Sequence, residues 1–236
     1  MNNTSPLLSA RSVVLSYGQT PALKGISLHV DRGEILAVTG RSGSGKSSLV
    51  LCLAGVLTPD VGEVRFRDRV ISSEGEAARS RLRRREFGVL FQFGQLVPEL
   101  TASENVALPL LLGGRRRASA MTAAQIWLDR FDVGDLAHTR PSRMSGGQAQ
   151  RVAVARAMVT EPEILFADEP TGALDSLAGE QVMGQLVRVA RQSETTVILI
   201  THDARVAAYG DREVSVQDGL LESESLSAVP DLGASQ

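Results

Sequence analysis

The most restrictive feature of this sequence is a short segment, residues 40–47, that reads GRSGSGKS. It matches in full the pattern of a phosphate-binding loop, G-x-x-x-x-G-K followed by Ser or Thr. Such a loop needs a β-strand before it and a helix after it. Residues 35–39 are an apolar run typical of a buried strand, and residues 45–55 have the pattern of a helix. The segment therefore predicts an anion-binding turn at the N-terminus of a helix.

The residue types in this segment explain how it would hold a nucleotide and its metal ion. Glycines let the backbone curl so that successive N–H groups point at phosphate oxygens. We expect Lys46 to reach the β- and γ-phosphates, Ser47 to ligate Mg²⁺ and Ser48 to contact the α-phosphate. The pattern thus predicts ATP and Mg²⁺ as ligands. The predicted nucleotide-binding residues here are Gly40, Arg41, Ser42, Gly43, Ser44, Gly45, Lys46, Ser47 and Ser48.

Hydrophobic patterning places the chain in the α/β class. Residues 164–167 and 197–200 are apolar throughout, as expected of strands in a parallel sheet covered on both faces. Residues 176–191 lie between them and have helical spacing of apolar side chains, which completes a β-α-β unit. The remaining predicted strands are residues 12–16, 26–30 and 35–39, and a hairpin at 61–71. Together with the loop, these elements predict a P-loop NTPase (RecA-like) fold with a mainly parallel sheet core.

The middle of the chain has a different pattern. Helices are predicted at 102–112, 121–131 and 146–159, with no convincing strand among them. We therefore expect one domain, residues 1–223, with a helical subdomain inserted at about 93–160. The end of the chain, residues 224–236, is rich in Ser, Gly and acidic residues and is predicted to be a disordered tail.

Two acidic residues follow the apolar run at 164–167. Ligands bind at the carboxyl ends of strands in open parallel sheets, so both side chains should reach the nucleotide. We expect Asp168 to hold Mg²⁺ through its water shell and Glu169 to act as general base for the attacking water. His202 follows the neighbouring apolar run and would lie at the same sheet edge. Its spacing alone leaves open whether it acts on the nucleotide.

A second candidate anion site lies at residues 145–148. Ser145 and Gln148 fit a capping box, which by itself explains the segment structurally. However, two glycines at a helix start are unfavourable for stability by about 1 kcal/mol each, and they permit close approach to exposed N–H groups. The chain has only one complete phosphate loop, so the second segment needs a nucleotide that is held by another loop. One way to provide it is a nucleotide site shared between two subunits. Two subunits would then enclose each nucleotide between them.

Composition excludes several other classes. The formal net charge of −2 gives no indication of a nucleic-acid surface. A single cysteine, Cys52, excludes an internal disulfide framework or a Cys-rich zinc site, and a reducing cytoplasm is the expected location. No secretory signal is expected at residues 1–10, and no stretch reaches the roughly 18 apolar residues that a membrane-spanning helix needs. Any membrane role therefore requires a membrane partner.

These motifs, in this order, resemble the nucleotide-binding domain of ABC transporters over about residues 7–221. In that family's terms, residues 40–47 are the Walker A loop, 144–148 the signature, 164–169 the Walker B strand and 173–175 the D-loop. The resemblance also implies an N-terminal antiparallel β subdomain. Departures from the family pattern are Arg41, Met144 and Ala149, and none of them removes a catalytic group.

The resemblance adds roles that spacing alone does not establish. Tyr17 would stack on adenine, His202 would be the switch histidine, and Gln92 would join the sheet core to the helical subdomain. The implied catalytic residues are Glu169, His202, Gln92 and Lys46, and the implied metal-binding residues are Ser47, Gln92 and Asp168. The residues implied to reach the nucleotide of a second subunit are Ser145, Gly146, Gly147, Gln148 and Asp175.

The partners implied by the resemblance are a second copy of the chain and integral membrane permease subunits. The protein would be cytoplasmic and peripheral on the inner face of the membrane. Residues 104–112 are similar to the macrolide-export and lipoprotein-release branch of the family. A septation-type regulator that uses ATP without transport remains an alternative. A soluble ATPase acting on DNA or ribosomes would need coiled coils, zinc cysteines or a second ATPase domain, which this sequence lacks.

Two basic runs have no part in these predictions. Residues 79–85 and 115–117 would suit anionic lipid or nucleic acid. Such runs are more often solvated helix faces and loop tips.

Overall fold

The computed structural model describes residues 5–90 and 96–226. Two sheets form the frame. The first is antiparallel, in the order β2-β1-β4-β5, and is built from β1 (Leu8–Tyr17), β2 (Thr20–Val30), β4 (Val61–Phe66) and β5 (Arg69–Val70). The second has the order β10-β9-β3-β8-β7-β6 and is built from β3 (Ile35–Thr39), β6 (Phe87–Leu90), β7 (Ile164–Asp168), β8 (Thr196–Ile200), β9 (Arg212–Gln217) and β10 (Leu220–Leu226).

The second sheet is parallel except at one edge. Strands β6, β7, β8, β3 and β9 pair in parallel, and β10 pairs antiparallel with β9. Both sheet types were predicted, and the α/β fold class is confirmed. Sequence patterning did not predict β6, β9 or β10. Strand β10 pairs with β9 through Leu226, so residues 224–226 belong to the sheet rather than to the predicted tail.

Seven α-helices accompany the sheets in the described residues. They are α1 (Lys46–Leu53), α2 (Glu76–Glu86), α3 (Ala102–Leu112), α4 (Arg117–Arg130), α5 (Gly146–Met158), α6 (Ser176–Gln192) and α7 (Ala204–Ala207). Between residues 96 and 163 the described chain contains helices and no strand, as the sequence indicated. None of the helices in the described part of the chain is both long enough and apolar enough to cross a bilayer.

Successive side chains of a β-strand point to opposite faces of the sheet, so the hydrophobic core has two parts, one on each face of the second sheet. Along β7, Ile164 and Phe166 face the antiparallel sheet and α1, whereas Leu165 and Ala167 face the helices α3 to α6. All four side chains are buried, which explains the continuous apolar run in the sequence. Because both faces are covered, the open end of this strand is where its next residues can meet a ligand.

Aromatic packing joins the two sheets. Phe87 of β6 makes edge-to-face contacts with Phe66 of β4, at 5.0 Å between ring centroids, and with Phe166 of β7, at 5.3 Å. Such pairs stabilise a fold beyond the burial of their surface. They hold the antiparallel sheet in place beside the parallel one.

Candidate active site

The phosphate loop joins β3 to α1 and depends on glycine at its first and sixth positions. Gly40 has a φ of 141°, and a Cβ there would overlap the Val216 carbonyl oxygen. Gly45 has a φ of 106°, and a Cβ there would lie 2.5 Å from the Ala22 carbonyl oxygen. Positive φ and close backbone approach both exclude other residues. The sequence predicts a curled loop with glycines, and the close approach of β2 and β9 requires glycine at the same two positions.

Lys46 begins α1 and turns back into the loop. Its Nζ donates to the carbonyl oxygens of Gly40 at 2.6 Å and Arg41 at 2.7 Å, and the residue is only 9% exposed. Burial lowers the pKa of Lys46 below its ordinary value, while the carboxylates of Glu169 and Asp168 act in the opposite direction. The ammonium group is thus held over the mouth of the loop, beside two carboxylates.

One hydroxyl group of the loop is buried without a hydrogen-bond partner. The Ser44 Oγ is buried and has no hydrogen-bond partner among the described residues. Buried polar groups without partners are rare and costly in native proteins. Ser44 does not line the cleft that the loop borders, so its hydroxyl belongs to the interior of the loop.

The loop forms one wall of a cleft of about 800 Å³, a volume in the range of small-molecule sites. Tyr17 lies at its rim, 54% exposed, with its hydroxyl 3.4 Å from the Ser48 Oγ. This is a suitable position for stacking on a flat base. The loop residues that line the cleft are Arg41, Ser42, Gly43, Gly45, Lys46, Ser47 and Ser48.

The acidic pair lies across the cleft from the loop, at the end of β7. Burial raises the pKa of Asp168 above its ordinary value, the Glu169 carboxylate raises it further, and Lys46 opposes the shift. The backbone of Glu169 is left-handed, with a φ of 46°, and its N–H donates to the Ile200 carbonyl at 2.9 Å. Non-glycine residues in this region store strain that the surrounding structure must hold. The pairing with β8 supplies that restraint.

His202 and Glu169 meet at this edge of the sheet. The His202 Nδ1 lies 2.6 Å from the Glu169 Oε1, and the His202 backbone N–H donates to the same oxygen at 3.1 Å. The Thr201 hydroxyl donates to the other carboxylate oxygen at 3.4 Å. The Glu169 side chain is 15% exposed, so it reaches the cleft while three groups of Thr201 and His202, which follow β8, hold it. The structure thus places His202 at the sheet edge where its spacing predicted it, in contact with Glu169.

The donor atoms suit a hard cation. Ser47 and Asp168 both line the cleft and offer oxygen ligands, which Mg²⁺ prefers. Within the described ranges no group of three His, Cys, Asp or Glu side chains could hold a metal by itself. This fits Mg²⁺, which commonly takes one or two protein ligands together with substrate phosphates. Gln92, predicted to assist, lies outside the described residues.

The helix predicted to reach a second subunit does not line this cleft. The capping box of α5 is present: the Ser145 Oγ accepts from the Gln148 N–H at 3.2 Å, and the Gln148 Oε1 accepts from the Ser145 N–H at 2.9 Å. Asp175 caps α6, accepting from the Ala178 N–H at 2.9 Å. Neither segment is among the residues around the phosphate loop.

The starts of α5 and α6 lie against each other instead. A Cβ at Gly146 would be 3.2 Å from a Leu174 methyl group, and one at Gly147 would be 3.4 Å from the Ala178 Cβ. The two segments assigned to a second subunit's nucleotide therefore form one continuous surface. Ser145, Gly146 and Asp175 on that surface are exposed.

Sequence reasoning missed the contribution of β2 to the cleft. Thr20, Pro21 and Ala22 line it, and the Ala22 carbonyl enforces glycine at position 45. Thr201, which orients Glu169, was also missed. No motif marks these residues, because their role depends on where the antiparallel sheet lies.

The fold and this site together define a P-loop nucleotide hydrolase: a phosphate loop, a lysine, a carboxylate that could hold a metal ion and a candidate base lie around one cleft. A family profile described as "ABC transporter" matches residues 23–172. The chain belongs to this family, as an ATP-binding subunit that hydrolyses ATP. The family predicted from the motifs is thus confirmed.

Named relatives agree with this assignment. The chain is 40% identical over 218 residues to a lipoprotein-releasing system ATP-binding protein, LolD, of Porphyromonas gingivalis, covering 92% of this chain and 100% of that protein. It is 39% identical over 229 residues to the macrolide export ATP-binding/permease protein MacB of Marinobacter nauticus, covering 95% of this chain and 35% of that protein.

A solved structure shows the same architecture. The ATP-binding cassette MJ0796, a dimer in a post-hydrolysis state bound to ADP and Pi, aligns with a TM-score of 0.85 and 35% identity. The alignment covers 93% of this chain and 98% of the cassette.

Proposed function

We propose that two copies of this chain associate head to tail around two ATP molecules and drive membrane permease subunits that export or release a substrate. The observation that carries this proposal is the separation of the two anion-binding segments. The cleft contains the phosphate loop and the acidic pair, whereas the N-terminus of α5 is exposed on another part of the surface. A second copy would place its α5 over the first copy's nucleotide.

Helix physics supports a phosphate at that second segment. The N–H groups at the start of α5 carry a partial positive charge, and glycines at its first two positions leave them accessible. Leu177, 67% exposed at the start of α6, adds an apolar contact beside them. The dimeric state of the cassette MJ0796 supports the same arrangement here.

The residues of the cleft divide the chemistry among them. Lys46 and the loop N–H groups bind the β- and γ-phosphates and offset their charge. Ser47 and Asp168 would hold Mg²⁺, which when bound neutralises charge on the phosphate oxygens. Glu169 accepts a proton from the attacking water, and its carboxylate is oriented for this by Thr201 and His202.

The export or release branch is supported by the names of the relatives. Both the lipoprotein-releasing protein and the macrolide exporter match more than nine-tenths of this chain. We assign this chain to the same branch, at the inner face of the membrane through a permease partner. The septation-type alternative has no support among the relatives described.

Mixing two inactive variants tests the head-to-tail arrangement. Lys46→Ala disables the phosphate loop, and Gly147→Asp places a negative charge at the start of α5, where it stabilises the helix but repels phosphate. In a mixed dimer, one site receives both defects and the other receives neither. We therefore expect each variant alone to be inactive and the mixture to recover ATP turnover through the intact site.

The same mixture distinguishes a shared site from a self-contained one. If each chain built its whole site alone, the mixture would remain as inactive as its components, and the proposal would be wrong. Gly147→Asp is a suitable partner variant because an added Cβ meets only the Ala178 Cβ, at an ordinary 3.4 Å. Circular dichroism of each variant confirms that it folds.

A further inference from the structure

Two arginine-rich segments that the ATP site does not use flank a single groove. The groove has a volume of about 280 Å³ and lies between α2 and the C-terminal half of α3. Arg83 and Arg84 line it from α2, and Leu108, Pro109 and Leu112 line it from α3. The turn that follows α3, residues 113–116, folds back on that helix, since the Arg115 N–H donates to the Leu110 carbonyl at 2.9 Å. Arg84 of the first segment lines the groove, and the second segment follows directly after Leu112, which also lines it.

Helix α2 separates its arginines onto two faces. Arg79 and Arg83 lie on the inner face with the buried Leu82, where both pair with Glu76. Arg79 also bonds the Thr58 hydroxyl, and Arg83 the Gly55 carbonyl. These two arginines are held by the protein itself.

The outer face of α2 carries the other three arginines. At about 100° per residue, Arg81, Arg84 and Arg85 fall within one arc of the helix surface that excludes Arg79, Arg83 and Leu82. All three are exposed, and within the described residues none of them pairs with a carboxylate. The nearby acids are already engaged, Glu76 by the inner arginines and Glu86 by Arg67 at 3.8 Å.

The turn after α3 also carries exposed arginines without carboxylate partners. Arg115 and Arg116 are exposed, and neither has an ion-pair partner in the described part of the chain, whereas Arg117 pairs with Glu104 at 3.1 Å. Leu112, immediately before the turn, is 72% exposed. Positive charge and an exposed apolar side chain thus occur together. They stand out on a chain whose net charge is −2.

This combination fits a lipid surface better than a nucleic acid. Basic side chains beside an exposed leucine are typical of surfaces that lie in the headgroup region of a membrane. Single-stranded nucleic acid is instead bound on exposed aromatic side chains. Among the described residues the exposed aromatic side chain is Tyr17, and it lines the ATP cleft.

We propose that the outer face of α2 and the turn at residues 113–116 form a membrane-contact surface that binds anionic phospholipid headgroups. The guanidinium groups contact headgroup phosphates, and Leu112 enters the boundary of the acyl region. This inference rests on the proposed function only in placing the chain at a membrane. The chain would then contact the membrane in two ways, through the permease and directly through lipid headgroups.

Vesicle co-sedimentation of the full chain tests the proposal. Each arginine near an anionic surface strengthens binding roughly fivefold, so Arg81→Gln/Arg85→Gln should weaken binding about twenty-fivefold. Arg115→Gln/Arg116→Gln should weaken it by a similar factor. We expect the wild type to bind vesicles that contain phosphatidylglycerol and not to bind vesicles of pure phosphatidylcholine. Added salt should release the bound protein from the anionic vesicles.

A matched control removes the same charge elsewhere. Arg11→Gln/Arg188→Gln changes two exposed arginines on β1 and α6 and leaves both basic segments intact. This control should bind vesicles as the wild type does. Equal loss in control and test variants would show that net charge alone acts, and would overturn the proposal.

Two further outcomes would also overturn it. Absence of wild-type binding to anionic vesicles, with loss of the co-purifying membrane partner in Arg81→Gln/Arg85→Gln, would assign the surface to an acidic protein segment. Tighter binding to a DNA duplex than to the vesicles would assign it to nucleic acid. ATP turnover should be unchanged in both test variants, so failure of the lipid proposal is distinguishable from failure of the ATPase assignment.

Discussion

Replacing Glu169 by glutamine tests the proposed base with little disturbance of its surroundings. The Glu169 Oε1 accepts from the His202 N–H and faces the His202 ring, and an amide oxygen can do both. The amide nitrogen would face the Thr201 hydroxyl, which can accept a hydrogen bond as well as donate one. The substitution therefore removes basicity and charge but keeps shape and contacts.

The expected loss follows from the role of a general base. Such groups contribute about a hundred- to ten-thousandfold in rate. At 1.36 kcal/mol for each tenfold change, this is about 3–5 kcal/mol of transition-state stabilisation. ATP binding should persist, because Lys46 and the loop remain, and loss of the Glu169 charge removes one cause of the raised pKa of Asp168.

Two measurements check this prediction. Phosphate release under saturating ATP should fall by at least a hundredfold, and light scattering should show a dimer that persists with ATP. Glu222→Gln, an exposed glutamate on β10, provides the control and should retain both wild-type turnover and transient association. Turnover of Glu169→Gln within about threefold of the wild type would refute Glu169 as the base.

Three further predictions concern the same cleft. Lys46→Ala removes the ammonium group from the loop and should weaken ATP binding itself, measured by calorimetry, in contrast to Glu169→Gln. Gly45→Ala places a Cβ 2.5 Å from the Ala22 carbonyl at a φ of 106° and should lower the free energy of unfolding by at least about 1–3 kcal/mol in urea. A carboxyl group whose pKa is raised by folding binds its proton more tightly in the folded state, so Asp168 should make the nucleotide-free protein less stable as pH rises through the interval between its unfolded and folded pKa values. Asp168→Asn should reduce that decline, and an unchanged pH profile of unfolding would contradict the burial of the charge.

Much of the site was predictable because its signals are local. The phosphate loop, the capping box at Ser145 and the acidic pair each lie within a few consecutive residues. Strands β7 and β8 were predictable because both faces of the sheet are covered, which requires apolar side chains throughout. Strand β6 is short and follows an arginine-rich helix, β9 alternates buried and less buried residues, and the sequence of β10 is rich in Ser and Glu, so patterning did not reveal these strands.

The sequence by itself determined the phosphate loop, the order of the motifs and the family, because these depend on residue types at fixed spacing along the chain. Tertiary structure decided that His202 meets Glu169, since only the pairing of β7 with β8 brings residues 33 positions apart to within 2.6 Å. It also decided that the start of α5 lies outside the cleft of its own chain. Contacts between distant segments depend on how the sheets and helices pack. Hydrophobic periodicity predicts individual strands and helices but does not predict that packing.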